Sequence, residues 1–111
     1  MPVQNITLNN QPFALLPRAE YEELVARAAG EKLPAFPARD KRGNYPAAAA
    51  IRVAIARDII TSRIAAGWTQ QQLAKRAGVS AETISRLEGG KHKPQAATME
   101  KIDAVFKKAG L

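Results

Sequence analysis

The run from Thr69 to Gly90, TQQQLAKRAGVSAETISRLEGG, constrains the fold more than any other stretch of the sequence. Thr69 followed three residues later by Gln72 is a capping-box pattern, in which each side chain satisfies a free backbone N–H at a helix start. Leu73, Ala74 and Ala77 then share one face at helical spacing. Gly78 interrupts them where a sharp turn needs positive φ, and Val79 is a lone apolar anchor inside that turn. Ser80 is a favourable N-cap for a second helix. Ile84 and Leu87 are the only large apolar residues of this helix, so one narrow stripe faces inward. Ala81, Glu82, Thr83, Ser85 and Arg86 are left pointing outward, and Gly89-Gly90 stops the helix.

An outer face of small and polar residues suits a helix that must approach base edges closely. A charged outer face alone is often only solvated. The ordered set of cap, alanine, glycine turn, second cap and Ile/Leu pair instead reads as a helix-turn-helix, whose second helix over 80–88 lies in the major groove. Arg86 suits base reading, because arginine forks onto guanine O6 and N7. Glu82 either accepts from cytosine N4 or simply complements the dipole at a helix N-terminus. Ala81 and the Thr83 methyl suit thymine methyl groups. Gln70 and Ser80 open their helices, where an amide or hydroxyl and the free N–H groups can hold a phosphate, and Ser85 joins that set. Lys75 or Arg76 can add a phosphate contact.

The net charge of +7 is unevenly placed. Residues 1–46 hold six Lys/Arg against five Asp/Glu, whereas residues 47–111 hold eleven against five. The basic excess therefore accompanies the helix-turn-helix, as expected of a surface that neutralises phosphates and releases counterions.

Three segments follow in order. Residues 1–29 predict a β-hairpin and a helix. Within 3–16, Ile6 and Leu8 alternate with polar neighbours, Asn9-Asn10 offers a turn, and Phe13, Leu15 and Leu16 follow. Pro12 belongs at a strand start or an edge. A lone hairpin is marginal in water, so it must pack on its own following helix or on a second copy of the chain. Residues 18–29 read as that helix, with Tyr21, Leu24, Val25 and Ala28 in one stripe, Glu23 and Arg27 as an i,i+4 pair, and Gly30 as terminator. Dimerisation or partner binding is the natural task of so small a unit; the alternative is an embellishment packed on the helical domain. Residues 30–46, rich in proline, glycine and charge, predict a linker, whose Leu33, Phe36 and Tyr45 dock on their own domain or on a partner. Residues 47–111 predict the DNA-binding domain: a long helix over 47–66 with Ile51, Ile55, Ile60 and Ile64 inward, then the helix-turn-helix, then a closing helix over 96–109 carrying Met99, Ile102, Val105 and Phe106. The fold class is mainly α with a hairpin-plus-helix appendage.

Residues 57–110 resemble the phage-repressor and Cro-like family, also called XRE-type helix-turn-helix proteins. The resemblance rests on Arg63, Gly67, Thr69-Gln70, Leu73-Ala74, Ala77-Gly78-Val79, Ser80, Ile84-Ser85, Leu87-Glu88, Gly90-Lys91 and Pro94. It implies a compact, five-helix-like repressor domain that binds a double-stranded pseudo-palindromic operator, usually as a homodimer. It also implies a partly buried ion pair between Arg63 and Glu88, a backbone-contacting loop at Lys91, His92 and Lys93, and a core place for Trp68. The sequence runs only briefly past the closing helix, so the N-terminal unit is expected to make the dimer. That unit, ITLNNQPFALLPRAEYEEL, is similar to the N-terminal part of some bacterial antitoxins, which implies a toxin as protein partner and repression of the chain's own operon.

An enzyme is not expected. There is no cysteine, one histidine, no metal-ligand cluster and no phosphate-cradling glycine loop, so no catalytic residues, metal or cofactor are anticipated. No apolar run is long enough to span a bilayer, and MPVQNITLNN lacks the basic-then-apolar order of a signal peptide, which favours a cytoplasmic location.

Overall fold

The structure, a computed structural model, describes residues 4–111, so Val3, where the hairpin reading begins, lies outside the described residues. A hairpin of β1 (Gln4–Leu8) and β2 (Gln11–Leu15) is followed by five helices: α1 (Arg18–Ala28), α2 (Ala47–Ala66), α3 (Gln70–Ala77), α4 (Ala81–Glu88) and α5 (Ala96–Lys108). The chain is mainly helical, as its periodicity predicts. Asn9 and Asn10 both adopt positive φ, 51° and 63°, the requirement of a two-residue type I′ loop.

Helices α2 to α5 close around one core. Ile59, Leu73, Ala74, Ala77, Ile84, Leu87, Ile102 and Phe106 form the buried cluster, with Trp68, Val79, Met99 and Val105 packed against it. Trp68 stacks on Phe106 with ring centroids 6.0 Å apart, while Arg76 covers its other side at 4.5 Å. The long helix α2 departs from expectation in part. Ile60 is buried in the core and Ile55 packs against the cluster as expected, but Ile64 is only half-buried, Ile51 is exposed, and Ile59 enters the cluster instead. The reason is that α2 is apolar on several faces and serves three neighbours, α4 and α5 as well as α1.

Helix α1 docks on α2 by a stripe one residue out of step with the predicted one. Tyr21, Leu24 and Ala28 are exposed, Val25 is half-buried, and Glu22 and Ala26 face inward. The cause is Arg57 of α2, 3% exposed, whose Nε donates to Glu22 Oε1 at 2.9 Å. Its other donors reach Glu23 Oε1 at 3.1 Å and the carbonyl oxygens of Pro34 and Ala19 at 3.1 and 3.2 Å. The guanidinium also lies over the Phe36 ring, 5.0 Å from its centroid. Glu23 therefore pairs with Arg57. A desolvated charge is tolerable only with such complete pairing, so the pair dictates which face of α1 turns inward. Position 57 carries a signal of this: Val53, Ala56 and Ile60 place it on an apolar stripe at helical spacing.

Residues 30–46 contain no helix or strand, yet they pack on the helices. Phe36 and Tyr45 meet at 5.9 Å, Arg39 caps Tyr45 at 4.3 Å, and Asp40 accepts from the backbone N–H groups of Arg42 and Asn44. The linker aromatics thus dock on their own segment and on Arg57.

Truncating Arg57 to Ala leaves the Glu22 carboxylate, which is 6% exposed, with only the exposed Arg18 at 3.4 Å as its ion-pair partner. The Arg57→Ala chain should lose roughly 3–5 kcal/mol in urea unfolding, whereas the paired change Arg57→Met with Glu22→Leu should recover most of that loss.

Candidate nucleic-acid interface

The first helix of the motif starts as its cap predicts. Thr69 Oγ1 accepts from the Gln72 N–H at 3.1 Å, and Gln72 Oε1 accepts from the Thr69 N–H at 2.9 Å, closing the capping box. Gly78 ends α3 at φ 70°, and Ser80 Oγ accepts from the Thr83 N–H at 3.1 Å to start α4. Ile84 and Leu87 bury the inner stripe of α4, leaving Ala81, Glu82, Ser85 and Arg86 exposed and Thr83 half-buried. Among the described residues, the outer face of α4 is thus largely uncovered.

Arg86 and Glu82 do not point apart. Arg86 Nη2 donates to Glu82 Oε1 at 2.6 Å along the helix, with side chains 62% and 71% exposed. An exposed i,i+4 pair contributes only a few tenths of a kcal/mol, so it opens cheaply for a better partner. Ser80 and Thr83 join hydroxyls at 2.8 Å. Lys91, His92 and Lys93 are exposed in the loop beyond α4. A shallow cleft gathers Thr83, Arg86, His92, Lys93, Gln95 and Thr98. Gln95 and Thr98 belong to the start of α5, a site the sequence reading did not single out. The signal was Pro94 followed by a helix with no side-chain cap, which leaves its first N–H groups open.

Gln70 is placed differently from the exposed candidates. It is half-buried, and its Nε2 donates to Glu88 Oε1 at 2.9 Å. It thereby joins the cluster that sets the pose of α4. Arg63 of α2, 3% exposed, donates from Nε and Nη2 to Glu88 Oε2 and Oε1 at 2.8 and 2.9 Å. It donates further to both oxygens of Glu31 and, at 2.9 Å, to the Trp68 carbonyl. All five guanidinium N–H groups are thus in use. Burial alone lowers the arginine pKa, but the hydrogen bonds and charges of Glu88 and Glu31 outweigh it and hold Arg63 above the ordinary arginine range. The part played by Glu31 was not foreseen, because it lies in the proline-rich segment.

Residues 59–109 match the helix-turn-helix family model. Within them α3, the turn at Gly78 and α4 form a helix-turn-helix. The chain is also similar to an uncharacterized HTH-type transcriptional regulator of Haemophilus influenzae, at 40% identity over 58 residues covering 52% of this chain and 59% of that protein. The chain thus matches a little over half the length of that relative. α4 is the second helix of this helix-turn-helix, and Arg63, Glu88 and Gln70 are the internal bonds that fix its pose.

Behind α4, Gly90 has φ +73°, and a Cβ there would meet Pro34 Cβ at 3.3 Å and Val53 Cγ2 at 3.4 Å. Gly78 has a similar φ but open space around it. Thermal unfolding should therefore show Gly78→Ala costing about 1–2 kcal/mol from its backbone alone, and Gly90→Ala costing measurably more because the linker must also move.

Proposed function

We propose that this protein is a sequence-specific DNA-binding transcriptional repressor that grips a pseudo-palindromic operator as a dimer and controls its own transcription. The observation that carries this reading is the exposed outer face of α4, held rigid from behind and continuous with the basic loop 91–93. Arg86 swings from Glu82 onto a guanine, and Glu82 then accepts from a neighbouring cytosine or supports the arginine. Ala81 and Thr83 meet thymine methyls. Ser80, Ser85, Lys91, His92 and Lys93 hold phosphates, and Gln70 acts chiefly by orienting Glu88. The N-terminal unit of residues 1–29 makes the dimer, with 30–46 joining it to the DNA-binding residues 47–111. The apolar side chains it leaves exposed, Ile6, Leu8, Phe13, Leu15, Tyr21 and Leu24, support that division.

A second reading draws on the groove between α1 and the linker, lined by Leu16, Leu24 and Phe36 and edged by Glu20, Glu23 and Arg27. An apolar trough with a charged rim suits a protein partner, and in that reading the chain is an antitoxin that covers a toxin while repressing its operon. Co-purification with the product of an adjacent reading frame, lost on Leu24→Asp, separates this from the first reading.

Selection of bound sites from random DNA tests the main proposal. The wild-type protein should recover a palindrome with half-sites about one helical turn apart, roughly 34 Å. Arg86→Ala should relax one position per half-site by about 1–3 kcal/mol, and Lys91→Ala should weaken all sequences alike while lowering the salt slope by about one. Random recovered sequences would sink the proposal.

A further inference from the structure

We infer that two copies of the chain join edge to edge through β1, forming one four-stranded antiparallel sheet across a two-fold axis. This rests on the dimeric reading above and names the seam. The hairpin stands away from the helices, with all ten strand residues exposed. Its register pairs Leu8 with Gln11, Ile6 with Phe13 and Gln4 with Leu15. A two-residue loop makes its flanking pair, Leu8 and Gln11, a hydrogen-bonded one, and such pairs alternate along the ladder. Ile6–Phe13 and Gln4–Leu15 are therefore the other bonded pairs. Asn5 and Thr7 aim their N–H and C=O groups outward from β1, and Pro12 and Ala14 occupy the same positions on β2.

The two edges differ. Pro12 removes one of the two outward donors of β2, a common way of closing an edge. The β1 edge keeps both donors. Natural edges are also guarded by charge, yet no residue from Gln4 to Leu15 is charged, in a chain that is 24% Asp, Glu, Lys and Arg. An open, neutral edge repels neither a second copy nor itself.

The edge is also self-complementary. Laying the five residues of β1 antiparallel on those of its mate, with full overlap, puts Asn5 opposite Thr7 of the second copy and Thr7 opposite its Asn5. These are the residues with outward groups, so each such pair exchanges both backbone hydrogen bonds. Ile6 then lies on the two-fold. Because Ile6 and Phe13 share a face, the merged sheet carries an unbroken apolar row of Phe13, Ile6 and their two mates.

Sedimentation equilibrium and amide hydrogen exchange on the full chain test the seam. Thr7→Pro removes an outward donor and no bond within the hairpin, and Ala14→Pro does the same on the edge already closed by Pro12. Wild type and Ala14→Pro should be dimers, Thr7→Pro should fall to the 12.0 kDa of one chain, and the Asn5 and Thr7 amides of the wild type should gain protection as concentration rises through dimerisation. A wild type that dimerises with these two amides exchanging as freely as in the monomer overturns the seam, whatever the proline variants do. A wild type that stays monomeric at all concentrations overturns the dimeric reading itself.

Discussion

The pose of α4 depends on one buried guanidinium. Arg63 is anchored on the longest helix and spends every donor it has: on Glu88 at the end of α4, on Glu31 of the linker and on the carbonyl that follows α2. Such a cluster contributes little net stability, because desolvating the charges offsets most of their attraction. Its value is directional. Hydrophobic contacts from Ile84 and Leu87 let α4 roll or slide; a bidentate fork does not. The face presented to solvent is thus set by hydrogen bonds, and the depth of packing by the core.

Arg57 repeats the device six residues earlier on the same helix, facing a different neighbour. It fixes α1 through Glu22 and Glu23 and catches the linker at the Pro34 carbonyl. The linker is therefore held at two places, Glu31 by Arg63 and Pro34 by Arg57, and it passes too close to Gly90, directly behind α4, to leave easy room for a Cβ there. A proline-rich segment without regular structure ordinarily decouples what it joins. Here two buried arginines turn it into a strut.

The elements with a local cause were legible in the sequence. Residues 47–66 form α2 as expected, and the boundaries of α3 and α4 follow from Thr69, Gly78 and Ser80, whose caps need nothing beyond their own neighbours. What escaped was set at long range. The stripe through Tyr21, Leu24 and Ala28 and the one through Glu22, Val25 and Ala26 both satisfy a helical period, and periodicity cannot choose between them. The choice is made by a guanidinium 35 residues away in sequence. The pairing of Glu31 with Arg63 escaped for the same reason. The outward position of Arg86 was readable, because α4 has only one apolar stripe; its pairing with Glu82 is a matter of rotamer, which spacing permits but does not select.

The choice of Glu22 over the larger apolar stripe has a structural consequence. Had Tyr21 and Leu24 turned inward, α1 would have spent its apolar area on α2 and left a charged outer face. Instead Glu22 is consumed within the chain, and Tyr21 and Leu24 remain outside alongside an uncharged hairpin. A monomer that exposes its greasiest helix face while burying a carboxylate is poorly optimised for life alone, since soluble monomers rarely leave a large apolar patch uncovered. In the proposed dimer, the buried ion pairs give each protomer a rigid frame, and the apolar surface they release is available for joining. Were that dimer to read an operator as proposed, spacing between half-sites would be a property of the strut, so a change in the linker far from any base would register as a change in which operators are bound.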